Sequence, residues 1–356
     1  MPPDPLDAAR RLVLRYGWNA MAYQILNPGI SYWFAPDGDA VVGYATAGGY
    51  RVVGGVPVCA RDRLLAVAEA FIADTRAAGE RVCFFGTERL LLDWVRARGP
   101  ATVLPLGAQP VWDPAHLAAR FRDKGSLRAQ LARARNKGVV VERWGGARAQ
   151  GHPALEACLR GWLETRGLPP MHFLVEWDVL ARPLDRHVYV ALRDGAVVAY
   201  TVLSPVPLRQ GWLVEQTVRG ADAPNGTAEL LLDHAARDVA AEGAAYLTLG
   251  LAPLARTGAP TVGLPAAVRL LLAWVRVHGR RFYNFEGLEQ YKRKFEADHW
   301  EPIYAIAEGA GQEIRVLYAV TGVFGGASPV RFLPRALTRA VRQEARWLRD
   351  RLRRAP

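Results

Sequence analysis

Hydrophobic positions along the chain follow two rhythms, and the switches between them mark the expected elements. Pro5 to Tyr16 sets Ala8, Leu12, Val13 and Leu14 among three arginines, as an amphipathic helix does. Strand-like runs follow at Tyr32 to Phe34, Ala40 to Thr46 and Tyr50 to Val58, separated by Asp37-Gly38 and Gly48-Gly49 turns. A helix over Leu64 to Ala78, a strand over Arg81 to Gly86, a helix over Glu88 to Arg98 and strands at Ala101 to Leu106 and Gln109 to Trp112 complete the first half. The second half repeats that order. A helix from Pro153 to Arg166 contains Trp162, and strands run over His187 to Leu192, Ala196 to Ser204 and Gly211 to Val218. A helix over Gly226 to Glu242 and a strand over Ala244 to Gly250 close the repeat. Two copies of a β-β-β-α-β unit predict a layered α/β fold built by duplication. The expected divisions are residues 1–145, residues 146–310 and a tail over 311–356.

Two further stretches carry unusual chemistry. Between the halves, Arg120 to Arg143 contains KGSLRAQLARARNKG, which gives Leu127, Leu131 and Ala134 one apolar side and leaves Arg128, Arg133, Arg135 and Lys137 outward. Such a basic connecting helix is either a solvated linker or a contact for phosphates, which guanidinium groups bind in pairs of hydrogen bonds. From Gly279 to Ile306, Leu288, Tyr291 and Phe295 fall at helical spacing and are expected to share a buried face. Lys292 and Lys294 flank that stripe, and Glu289 and Arg293 are expected to point away. Phe282, Tyr283 and Phe285 precede the helix, and Trp300-Glu301-Pro302 is expected to end it before a short strand at Ile303 to Ile306. A core-docking helix with a solvated basic face fits this pattern as well as a functional one does.

The chain has 356 residues, 51% hydrophobic and 22% charged, a composition suited to two globular domains. Its net charge of +12 implies an anionic partner, nucleic acid or an anionic membrane surface. The arginines of residues 331–356 share that segment with Leu337, Val341, Leu348 and Leu352 near helical spacing, so the tail reads as a basic amphipathic helix for a lipid interface or as a docking helix. Cys59, Cys83 and Cys158 lack metal-ligand spacing and sit among apolar neighbours, as reduced core residues of a cytoplasmic protein do. No apolar run reaches the roughly 18 residues of a membrane span. The expected location is therefore the cytoplasm, including the inner face of the cytoplasmic membrane. No Ser-His-Asp, zinc or P-loop signature competes, and the histidines are dispersed.

Several motifs then resemble one family. Phe282 to Phe285, Gly287-Leu288, Tyr291, Lys292, Lys294-Phe295 and Trp300 to Pro302 are similar, in order, to the C-terminal signature of the phosphatidylglycerol lysyltransferases, the aminoacyl-phosphatidylglycerol synthases. Asp222-Ala223-Pro224-Asn225-Gly226-Thr227 resembles that family's loop without a change, and Gly250 to Leu254 resembles its Gly-x-Ala-Pro-Leu. The resemblance covers nearly the whole chain and matches the catalytic portion, without the membrane domain of the full-length synthases. It implies two tandem GNAT-type acyltransferase folds and aminoacyl transfer from aminoacyl-tRNA to a hydroxyl of phosphatidylglycerol, with no metal and no cofactor. It implies catalytic roles for Asp222, Glu286, Lys294 and Arg219, and substrate contacts for Asn225, Gly226, Tyr291, Lys292, Gly250 and Pro253. Arg128, Arg133, Arg135 and Lys137 are then the expected tRNA contacts.

Two departures qualify the pattern. In coenzyme A-binding GNAT enzymes a basic or Gln residue stands where this chain has Ala223, and Pro224 removes an amide donor, so an acyl-CoA donor is disfavoured. The family's Gly-Asp-Pro-Val turn reads Gly55-Val56-Pro57-Val58 here, so its acidic residue is lost. A soluble acceptor for the same donor, or a non-catalytic protein that binds RNA or anionic lipid, are the alternatives.

Overall fold

The computed structural model describes residues 4–165, 171–258, 263–266, 268–270, 272–273 and 285–326. Helix α1 (Pro5–Tyr16) starts at an Asp4 cap with Pro5 in its first turn, where the missing amide costs no hydrogen bond. Strands β1 (Ser31–Phe34), β2 (Val41–Ala47) and β3 (Tyr50–Gly54) form an antiparallel meander. Helix α2 (Leu64–Ala77) crosses back to β4 (Arg81–Thr87), which runs parallel to β3. Helix α3 (Arg89–Arg98) leads into β5 (Ala101–Trp112). The two short strands expected here are one, because a bulge at Leu106 and the left-handed Gly107 (φ +130°) carry the chain through the apparent break.

Helices α4 (Pro114–Asp123) and α5 (Gly125–Arg135) connect to β6 (Val139–Trp144), an edge strand that the hydrophobic pattern did not announce. After α6 (Gly146–Ala149) and α7 (Pro153–Glu164), the first unit's order returns as β7 (His187–Arg193), β8 (Ala196–Val206), β9 (Gly211–Arg219), α8 (Thr227–Ala241) and β10 (Tyr246–Thr248). Again three antiparallel strands precede a helix and a parallel fourth strand. The chain ends its described course with β11 (Ala252–Pro253), α9 (Phe285–Arg293), β12 (His299–Glu308) and α10 (Glu313–Gly325).

All strands among the described residues join one 12-stranded sheet, in the order β1-β2-β3-β4-β12-β5-β10-β9-β8-β7-β6, with β11 on the β10 side of β5. Strand β12 lies antiparallel between β4 and β5, so a late segment is knitted into the first unit. Trp300, Glu301 and Pro302 therefore belong to a ten-residue strand; they do not terminate a helix, as the sequence suggested. Alternation along the strands fixes two layers. Val103, Tyr304, Tyr189 and Trp112 face the layer of α2, α3, α4, α5, α8 and the end of α9. Leu104, Ala305, Val188 and Val190 face the opposite layer, which carries α7 and α10. The three cysteines are free and buried, as expected of core residues.

Candidate functional site

The site begins with a defect in the sheet. Val202 of β8 pairs with Gln216 while Leu203 pairs with Val214, which leaves Glu215 as the extra residue of a bulge in β9. Beyond it the strand veers, and β9 pairs with β10 only through Gly211 to Leu213. In the first unit β3 stays paired with β4 to its last residue, Gly54. The second unit thus opens a wedge between β9 and the β10-β11 line that the first unit lacks among the described residues.

One wall is the loop that leaves β9. Arg219 is exposed and donates from Nη2 to the Ala223 carbonyl at 2.8 Å and to Asn225 Oδ1 at 3.0 Å, so it holds the loop and its asparagine in shape. Asp222 is exposed at the loop tip. Ala223, which replaces the basic residue of the coenzyme A pattern, is a core residue at 4% exposure. Gly226 ends the loop at φ +95°, pressed so close to α5 that a Cβ there would lie 2.0 Å from the Gln130 carbonyl oxygen. The basic helix and the strand-to-helix loop, separate motifs in the sequence, are therefore in contact.

Helix α5 buries Leu127, Leu131 and Ala134, as its pattern requires, and exposes Arg128, Arg133 and Arg135, with Lys137 exposed in the turn after it. Arg135 leans on the buried Asp233 of α8 at 3.3 Å, and Arg128 reaches the Arg122 carbonyl at 3.4 Å.

The other wall is α9 and the turn after it. Phe295 is fully buried in the cluster that contains Phe121, Leu127, Leu131, Ala223 and Leu230, with Tyr291 packed against it. Lys294 pairs with Glu229 in the first turn of α8, and its Nζ lies 4.0 Å from the Tyr291 ring centroid. Burial raises the Tyr291 hydroxyl above its ordinary pKa. Lys124, ahead of α5, donates to the Lys294 carbonyl at 3.1 Å and pairs with Glu296. Lys294, Tyr291, Gly226 and the basic helix thus meet in one packed cluster. Glu286 lies half-buried in the first turn of α9. Phe282, Tyr283 and Asn284 lie outside the described residues, as does the basic tail over 331–356.

The structure corrects the expected helix face. Leu288 is only half-buried, whereas Glu289 and Lys292, expected to be solvated or flanking, are each 5% exposed. Lys292 Nζ donates to the carbonyls of Leu249, Gly250 and Leu251 at 2.7, 2.7 and 2.8 Å. Those carbonyls lie where the line along β5 breaks between β10 and β11, and β9 has already turned away. An ammonium with three donors satisfies all of them. Burial pulls the Lys292 pKa down to about 7, against carbonyl dipoles that favour the charged form. Glu289 holds the segment that follows β11 by accepting from the amides of Arg256 and Thr257 and from the Thr257 hydroxyl, each at 3.0 Å.

Gly250 and Pro253 are thus held by α9 and β5, with Gly250 left-handed at φ +68° and Pro253 paired with Gly107. Sequence reasoning missed Glu229 and Glu289. Glu229 had a readable signal, an acid three residues after the Gly226 that starts α8.

Among the described residues no group of His, Cys, Asp and Glu is arranged to hold a metal ion. No described helix is long and apolar enough to cross a membrane. An open cleft of about 330 Å³ lies elsewhere, lined by Trp18, Arg209, Tyr246 and His299 and by none of the site residues expected from the sequence.

With this geometry in place the comparisons decide the family. Residues 10–307 match the family model described as "Phosphatidylglycerol lysyltransferase, C-terminal". The chain belongs to that family. The fold agrees with two solved structures of similar description. One is a C-terminal domain from Agrobacterium fabrum assigned to a lysylphosphatidylglycerol synthetase, 23% identical, with TM-score 0.74 over 91% of this chain and 98% of that one. The other is L-PGS from Bacillus licheniformis, 19% identical, with TM-score 0.75 over 91% of this chain and 97% of that one. FemX shares the fold more distantly, at 10% identity and TM-score 0.56 over 88% of this chain and 98% of that one. No curated protein sequence matches. The tandem GNAT-like α/β fold expected from the sequence is the fold observed. As a phosphatidylglycerol lysyltransferase family member the chain is an acyltransferase, and its family moves an aminoacyl group onto lipid.

Proposed function

We propose that this chain moves an aminoacyl group from aminoacyl-tRNA to a hydroxyl of phosphatidylglycerol, approaching the inner face of the cytoplasmic membrane from the water side. The observation that carries this reading is the meeting of the basic helix α5, the loop from Arg219 to Thr227 and the Lys294 end of α9 in one packed cluster beside the open wedge. The exposed Arg128, Arg133 and Lys137 offer phosphate contacts to the donor next to that wedge.

The acceptor oxygen attacks the aminoacyl carbonyl carbon, the bond to the ribose oxygen breaks, and the acceptor proton ends on the released ribose hydroxyl. One ester is exchanged for another, so the demands on the protein are orientation, proton transfer and stabilisation of the oxyanion. Asp222 or Glu286 takes the proton or holds the α-ammonium group, and Arg219 and Lys294 supply positive charge. Tyr291 packs beside Lys294 at the acceptor side, and Lys292 acts through the backbone turn it holds.

The test incubates a panel of charged tRNAs with phosphatidylglycerol vesicles and measures aminoacylated lipid by mass spectrometry. Asp222→Asn and Lys294→Ala are expected to lower transfer by about a hundredfold or more, with unchanged thermal unfolding for the exposed Asp222. Full activity in either variant overturns the assignment, and wild-type protein that yields no aminoacylated lipid with any tRNA overturns the reaction.

A further inference from the structure

On the sheet face opposite the basic helix, large apolar side chains point to solvent around one helix. Ile314 and Tyr318, four residues apart on α10, are 59% and 42% exposed, and Leu270 is 68% exposed. They belong together structurally. Val316, Ala319 and Val323 of α10 share a core cluster with Val268, and Leu264 and Leu272 pack against it, so the segment around Leu270 lies in the α10 layer. Apolar side chains left in water forgo burial free energy, and exposed apolar residues gathered on one surface mark an interaction site.

The surroundings select the occupant. Arg269 adjoins Leu270, Arg315 adjoins Ile314, and both are exposed. Arg81 reaches across to Gln312, which precedes α10, at 2.9 Å, and Arg76 pairs with Glu308 at 2.8 Å, which removes the nearest acid on β12 from play. Glu313 remains at the start of α10, where the helix dipole favours it. Beyond Gly326 the sequence continues into the arginine-rich residues 331–356. Apolar anchors flanked by arginines suit an anionic bilayer surface, where side chains enter the acyl boundary while guanidinium groups meet phosphates.

We infer that the Leu270, Ile314 and Tyr318 surface docks on anionic membrane. This rests on the reading that the acceptor is a membrane lipid.

Flotation of the full chain with vesicles tests it without requiring turnover. Wild-type protein is expected to float with phosphatidylglycerol-containing vesicles and not with pure phosphatidylcholine. The double variant Leu270→Asp, Ile314→Asp is expected to lose about tenfold in bound fraction. Leu90→Asp, at an exposed apolar residue of α3 on the other face, is expected to bind as wild type does. The milder Ile314→Ser, with a matching thermal midpoint, separates lost docking from lost folding and is expected to bind measurably less.

Equal flotation of the double variant and wild type overturns the inference. So does absent wild-type binding, or a patch change that alters oligomeric state and leaves flotation unchanged. If the docking variants fail to float while wild-type protein transfers nothing to lipid, the surface stands and the proposed reaction falls.

Discussion

Lys292 shows what a single residue can do and why its role is hard to read in a string. Its ammonium meets three backbone carbonyls that no strand pairs, at the point where β10 stops and β9 has swung away. Replacing it with Met keeps the volume and leaves those carbonyls buried without donors. Each such loss costs about 1–3 kcal/mol, so Lys292→Met is expected to destabilise the protein by about 3 kcal/mol or more in urea unfolding. Lys292→Arg is not expected to rescue it, because a planar fork cannot aim three donors at a converging set. An unchanged midpoint in the Met variant would show that the turn finds other donors. Helical spacing identified α9 and placed Phe295 inside, but it treated Lys292 and Lys294 as a pair. They are unlike: one is sunk under a distant break in a strand, the other bridges to Glu229. The partner that distinguishes them lies dozens of residues away in the chain, and no local period encodes it.

At the scale of elements, the order of strands and helices in both units was legible, since each rests on a local period and a turn signal. The contact between α5 and the loop before α8 was not, because it depends on packing between segments nearly a hundred residues apart. Gly226 is where that contact becomes a hard constraint. Its φ of +95° already disfavours any side chain, and a Cβ would also strike the Gln130 carbonyl at 2.0 Å. Gly195, in the β7-β8 turn, has φ +78° with nothing within 4 Å of where a Cβ would sit, so it isolates the conformational part of the cost. Gly195→Ala is expected to cost about 1–2 kcal/mol in thermal unfolding, and Gly226→Ala about 2 kcal/mol more, because α5 must shift. Comparable losses for the two variants would mean that the loop relaxes without moving the basic helix. If the helix does shift, the proposed donor reading predicts that the Gly226 variant also binds charged tRNA more weakly at equal salt, since the exposed arginines leave their register.

Across the whole molecule, the two units are joined by the pairing of β5 with β10, by β12 threading between β4 and β5, and by a buried polar seam. At that seam Arg186 and Glu215 pair at 2.7 Å with side chains only 4% and 5% exposed. Arg186 also donates to Asn27 Oδ1 of the first unit at 3.3 Å and stacks over Tyr23 at 4.8 Å. Burial works against the Arg186 charge, but the Glu215 carboxylate outweighs it and raises the pKa. Glu215 is the bulge residue of β9, so the seam that joins the units also grips the strand where the wedge opens. The sequence offered no sign of this, because the pair is separated by a whole hairpin and its burial depends on both units. Glu215→Gln strands a buried guanidinium charge and is expected to cost about 3–5 kcal/mol in equilibrium unfolding. The double replacement Arg186→Met, Glu215→Leu removes both charges from the interior and is expected to recover most of that stability, since buried pairs often break even with apolar residues of similar size. Transfer activity should part from stability in this pair of variants. A stable double variant that stays slow means that the ion pair sets the angle of β9 at the wedge, whereas full recovery of both reduces it to a joint between the units.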